Sequence, residues 1–190
     1  MERKVVIKWL KIFSISFLIL SLVGLVDFIL FSTLINISLD SQQFNILTII
    51  FQSGFMTFHA GLLWIILFSI FCGFIVLSYS IFNVANKNTL DDNILAKFLL
   101  LIGLFLIIGG FITMNFIFSL GHSTINTGTT TITFQNALYT PSITPAIGAI
   151  MWLYHTFVVD CFLVSGLIFG GIGLKWMLLI QEEELTNNQS

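Results

Sequence analysis

Residues Phe98 to Leu120 read FLLLIGLFLIIGGFITMNFIFSL, a run without one charged side chain. About 20 apolar residues in a helix rising ~1.5 Å each cross a hydrocarbon core of roughly 30 Å, so this stretch reads as a membrane-spanning helix. Three further runs resemble it. Trp9 to Ile35 holds only Lys11, near its start, and Asp27; Phe58 to Val84 holds no charge beyond what His59 carries. The fourth begins at Pro145, a residue suited to a helix's first turn, and continues to about Ile180 with His155, Asp160 and Lys175 inside it.

The composition agrees. Of 190 residues, 57% are hydrophobic and 8% charged, where a soluble domain has roughly a quarter of its residues charged. The expected class is an all-α integral membrane protein: one transmembrane domain over 1–190, a four-helix bundle with helices at about 9–35, 58–84, 98–120 and 145–180, and a polar tail at 181–190 expected to be disordered. Seven Lys and Arg against nine Asp and Glu exclude a nucleic-acid partner, and two Cys exclude a disulfide scaffold. The first apolar run exceeds the ~7–15 residues of a signal-peptide core and has no small-x-small cleavage site after it, so it reads as a retained anchor.

The cations set the orientation. Arg3, Lys4, Lys8 and Lys11 open the first helix, Lys87 and Lys97 flank the link between the second and third, and Lys175 ends the fourth. By the positive-inside rule both termini and the 85–97 link are cytoplasmic, and 36–57 and 121–144 form two outer loops of a protein in the cell membrane. Trp9 and Trp176 are expected at the inner interface, and Trp152 or Tyr139 at the outer one.

Segment 36–57, with Phe44, Ile46, Leu47, Ile49, Ile50 and Phe51, reads either as a short helix lying on the bilayer or as a strand. Segment 121–144 is Thr-rich, with Thr127, Thr129 and Thr130 around Gly128, and the alternation Thr131, Ile132, Thr133, Phe134 suggests a hairpin arm. No internal repeat is evident.

Ionisable groups inside a membrane are costly, and they are the first candidates for function. Here they are Asp27 on helix one, His59 opening helix two, His122 just past helix three, and His155 and Asp160 on helix four. Asp27 lies about 12 Å below the outer end of its helix and His155 about 14 Å below the start of its own, at matching depth. His155 and Asp27 are thus candidate metal ligands, and with His59 and His122 they are candidate neighbours of a haem, a copper ion or a quinol. The alternatives are a structural pair joining helices one and four, and interfacial roles for His59 and His122. Asp160 reads as a proton relay or a structural polar group; it lies about 140° around the helix from His155. Gly166, Gly170 and Gly173 make a small face with Gly-x-x-x-Gly spacing, suited to close helix packing. Cys72 and Cys161 read as small buried hydrophobes.

In length and general layout the chain resembles the C subunit of membrane copper monooxygenases. That family's ligand motif of one Asp and two His has no counterpart here, so the resemblance implies no ligand residues. The expected function is an integral subunit, accessory rather than a stand-alone enzyme, of a multi-subunit membrane complex, foremost a redox or respiratory assembly. The partners expected are the lipid bilayer and other membrane subunits. The alternatives are a non-enzymatic tetraspan scaffold working through the Gly face and the Thr-rich loop, and a small proton-coupled transporter.

Overall fold

The computed structural model describes residues 3–39, 41–52, 54–87, 91–126 and 131–189; of 184 and 187–189 it describes the backbone only. Thr127, Gly128, Thr129 and Thr130 lie outside the described residues. The order is α1 (Arg3–Leu34), β1 (Asn36–Leu39), β2 (Gln42–Asn45), α2 (Ile46–Phe51), α3 (Phe58–Lys87), α4 (Asp92–His122), β3 (Thr124–Asn126), β4 (Thr131–Thr133), α5 (Phe134–Tyr139) and α6 (Ala146–Gln189). The class is all-α, and α1, α3, α4 and α6 are each long and apolar enough to cross a membrane.

These helices overrun the apolar stretches that mark them in the sequence. Lipid sets the length of the apolar part, whereas hydrogen bonding carries a helix as far as its residues allow. α4 starts at Asp92, where an acid suits the N-terminal dipole, and its first turns already bury Leu95 and Ala96. α6 runs through 181–189, the segment expected to be disordered. Gln, Glu and Leu there favour a helix, and the Thr186 hydroxyl donates to the Glu182 carbonyl at 2.8 Å.

The chain divides into two compact units, each taking part of every long helix. The terminal unit comprises Met1–Leu18, Val76–Ile112 and Val159–Ser190. All seven Lys and Arg belong to it. Arg3 pairs with Asp92 at 3.1 Å, and Lys11 donates to Asn86 Oδ1 at 3.2 Å, so α1 is tied to the start of α4 and the end of α3. Deeper in this unit Phe13 meets Phe169 and Phe17 meets Phe162, with ring centroids 4.2 and 4.1 Å apart. Trp176, expected at the interface, is buried, while Trp9 is exposed.

In the same unit α4 and α6 cross on glycines. A Cβ added at Gly103 would fall on the Gly170 backbone; one at Gly166 would sit 2.8 Å from the Gly103 carbonyl oxygen, and one at Gly173 2.9 Å from that of Ala96. The small face of α6 is therefore covered by α4, and it is no free surface for a partner.

The hairpin unit comprises Ile19–Ile75 and Thr113–Val158. Segment 36–57 contains both of the forms expected as alternatives: β1 and β2 pair antiparallel, and α2 follows. Ile46, Ile49 and Ile50 are buried, so α2 turns its apolar face onto the protein and not onto a bilayer surface. Segment 121–144 repeats the plan, with β3 and β4 paired antiparallel and α5 after them. Of the two residues expected as alternatives at the outer interface, Trp152 is buried against Phe31 and Phe134, and Tyr139 is exposed.

The likeness of the two segments is quantitative. Asn36 pairs with Asn45 and Thr124 with Thr133; Ile37 pairs with Phe44 and Ile125 with Ile132, each residue 88 positions from its counterpart. The same offset of 88 relates the helix ends Leu34 and His122, the helix starts Phe58 and Ala146, and the N-caps Asn45 and Thr133, whose side chains accept from Thr48 N–H and Asn136 N–H. The Ile46 N–H donates to the Ile35 carbonyl, as that of Phe134 does to Ser123. Two bonds of 2.8 Å cross between the halves, Ser38 N–H to Ile143 carbonyl and Asn126 N–H to Phe55 carbonyl, and these too are counterparts at an offset of 88. Such reciprocity is the mark of a self-complementary, two-fold interface. The unit is thus a tandem repeat of one helix–hairpin–helix plan, a repeat not evident in the sequence.

Candidate functional site

In the hairpin unit Asp27 of α1 and His155 of α6 come together, with Oδ2 and Nε2 3.2 Å apart. The distance is that of an ion pair, but the approach is off the hydrogen-bond direction: Asp27 Oδ2 and both His155 ring nitrogens are buried without a hydrogen bond. The His155 side chain is 1% exposed and that of Asp27 19%.

Four aromatic residues enclose the imidazole. Phe28, Phe31, Phe71 and Trp152 place ring centroids 5.2, 5.5, 5.7 and 6.4 Å from it, all steeply inclined. Phe31 sits four residues after Asp27 and Trp152 three before His155, spacings that put each on the helix face bearing the pair, while Phe28, next to Asp27 in sequence, stands about 100° around α1 from it. Phe71 reaches the site from α3 because α1 has Gly24 opposite it; a Cβ there would lie 3.2 Å from the Phe71 ring. A second polar link closes the shell: Trp64 Nε1 donates to Ser32 Oγ at 2.9 Å, and the Ser32 hydroxyl donates to the Phe28 carbonyl at 2.8 Å. The aromatic walls close around the imidazole, while the Asp27 carboxylate keeps partial exposure on α1.

The other sequence candidates lie elsewhere. His59 is exposed at the start of α3. His122 is exposed at the end of α4, and its Nδ1 lies 2.8 Å from the Phe118 carbonyl, a bond made within its own helix end. Among the described residues no three His, Cys, Asp or Glu side chains gather as a metal group. Asp160 belongs to the terminal unit and is exposed. Cys72 and Cys161 are free thiols, one in each unit.

Sequence reasoning missed the aromatic shell, because Phe is so abundant in this chain that four more carry no signal. The repeat offers one in retrospect. At an offset of 88, Asp27 corresponds to Asn115 and His155 to Leu67, which is fully buried. The ionisable pair is one place where the two repeats differ in chemistry; His59 against Ile147 and His122 against Leu34 are others. Comparison of the chain with family models, curated proteins and solved structures finds no match.

Proposed function

We propose that this chain is an integral, non-catalytic subunit of a multi-subunit membrane complex, with both termini and the 85–97 link cytoplasmic and the two hairpins outside. The observation that carries the reading is the enclosure of His155. The one His–Asp contact among the described residues is walled in by aromatic rings, so it serves as a tie between α1 and α6. What this protein offers other molecules is then its outer surface. Large apolar side chains stand exposed on all four long helices, among them Val26, Val76, Phe105 and Leu167, and such surface is covered by lipid tails or by partner helices. The orientation is supported by the placement of every Lys and Arg in the terminal unit.

A redox subunit with a haem, copper ion or quinol beside His155 and Asp27 needs an imidazole nitrogen open to the cofactor. The enclosure favours a tie over a ligand, and leaves redox chemistry in such an assembly to the partner subunits. A proton-coupled transporter needs a wet path through its ionisable groups, and the walls around His155 stand against a relay through that imidazole. A scaffold working through the small face of α6 meets α4 already there.

The test is affinity purification of the full chain from its native membranes in a mild detergent after cross-linking. One or more other membrane proteins in fixed ratio are expected; recovery of the chain alone, or of its own oligomers alone, overturns the proposal. In a background lacking Cys72 and Cys161, an impermeant maleimide is expected to label Gln42→Cys from outside the cell and Asp91→Cys only after permeabilisation.

A further inference from the structure

Asp160 is a carboxylate in the middle of an apolar helix. It stands 14 residues after Ala146, the first residue of α6, and 15 before Lys175, or roughly 21 and 22 Å along the axis. It is exposed, and it makes no hydrogen bond or ion pair among the described residues. It opens onto a groove of about 500 Å³ whose other walls, Ile107 and Phe111 of α4 and Leu163, Val164 and Leu167 of α6, are all apolar. A charge facing lipid at mid-membrane is costly; one set in an apolar groove has a shape waiting for its counter-charge.

We propose that this groove seats a membrane-spanning helix of another protein that carries a Lys or Arg at mid-membrane, paired with Asp160. The inference rests on the reading of the chain as a complex subunit and names the face and the chemistry of the contact. The shape is that of a helix seat. Asp160, Val164, Leu167, Gly171, Leu174 and Leu178 recur at intervals of four and three along α6 and are all exposed, the spacing of a seam between two helices. Gly171 leaves room for close approach, since nothing lies within 4 Å of where its Cβ would be.

The charge selects the occupant. A metal cation takes six or more oxygens for Ca²⁺ or Mg²⁺, and this groove offers one carboxylate and no other oxygen side chain. A second copy of the chain brings no cation to this depth, because no Lys or Arg lies between Lys11 and Lys87 or between Lys97 and Lys175. A lipid headgroup lies too far from mid-membrane. A basic side chain on a foreign helix meets the requirement, and its own cost of burial is relieved by the same contact.

The test uses the tagged full chain in native membranes, with a photo-crosslinking amino acid at Val164 or Leu167, and at Val26 as a control face. The expected result is an adduct from 164 and 167, absent from 26, to one membrane protein with a Lys or Arg within a span. Asp160→Asn and Asp160→Leu are each expected to cut that adduct at least tenfold without lowering the amount of folded chain. Asp160→Lys combined with an acidic residue at the partner's basic position is expected to restore it. Adducts to lipid only, to a second copy only, or to a partner that persists undiminished in Asp160→Asn overturn the inference. If partners still co-purify in those cases, the subunit reading stands and the groove assignment alone fails. If the wild-type chain has no membrane partner at all, both fail.

Discussion

The aromatic shell around His155 makes a prediction that separates a structural tie from a ligand. Three substitutions are compared: His155→Ala, His155→Leu, and Asp27→Asn, singly and with His155→Leu. Replacing a large buried side chain by Ala removes its contacts with Phe28, Phe31, Phe71 and Trp152, a class of change that costs about 3–5 kcal/mol. Leu nearly fills the volume and is what the other repeat has at position 67, where it is fully buried. It also removes two ring nitrogens that are buried without a hydrogen bond. Against this stands the Asp27 carboxylate left without its partner. In soluble interiors breaking a buried pair costs about 3–5 kcal/mol. Here Asp27 keeps 19% exposure and the contact is off the hydrogen-bond direction, and interhelical polar contacts in membranes average about 0.6 kcal/mol with a maximum near 1.7. The membrane figures govern. His155→Leu is expected to lose about 1 kcal/mol, a small part of the His155→Ala loss, and Asp27→Asn about as much, with a coupling between them of about 0.5–1.5 kcal/mol. The assay is equilibrium unfolding of the purified chain in mixed dodecylmaltoside–SDS micelles, followed by circular dichroism and by tryptophan fluorescence, to which Trp152 reports from the shell itself. If His155→Leu proves as damaging as His155→Ala, the shell requires the imidazole nitrogens and not the volume, and the tie reading is wrong. Additivity within about 0.3 kcal/mol refutes any energetic link between Asp27 and His155.

Two further expectations follow from packing and from caps. Gly103→Ala places a methyl group on the Gly170 backbone, and Gly173→Ala places one against α4, so each is expected to cost more than about 2 kcal/mol in the same unfolding assay; Gly73→Ala, with nothing within 4 Å, is expected to be neutral or to gain up to about 1 kcal/mol. Asn45→Ala and Thr133→Ala each remove an N-cap acceptor from a six-residue helix, and each is expected to cost about 0.5–2 kcal/mol, seen as faster amide exchange in 46–51 and 134–139 respectively. Exchange unchanged in both variants refutes the capping role.

The sequence by itself determined the number of spans, since lipid demands uncharged runs of a minimum length and the chain has four. It also segregated the cations and singled out Asp27 and His155, because a charge in an apolar run is conspicuous however the chain folds. Faces were another matter. In water, apolar periodicity tells which side of a helix turns inward; in a membrane both core and surroundings are apolar, and α1, α3, α4 and α6 have Leu, Ile and Phe on every side. Only the tertiary structure decided that His155 looks into an aromatic shell while Asp160, five residues on, looks outward, and that the α6 glycines meet α4. The repeat was hidden for the same reason: interchangeable apolar residues preserve a helical plan with few identities, such as Phe28 with Phe116 and Trp64 with Trp152. It came to light through the hairpins and their crossed hydrogen bonds, where backbone geometry, unlike apolar composition, repeats residue for residue.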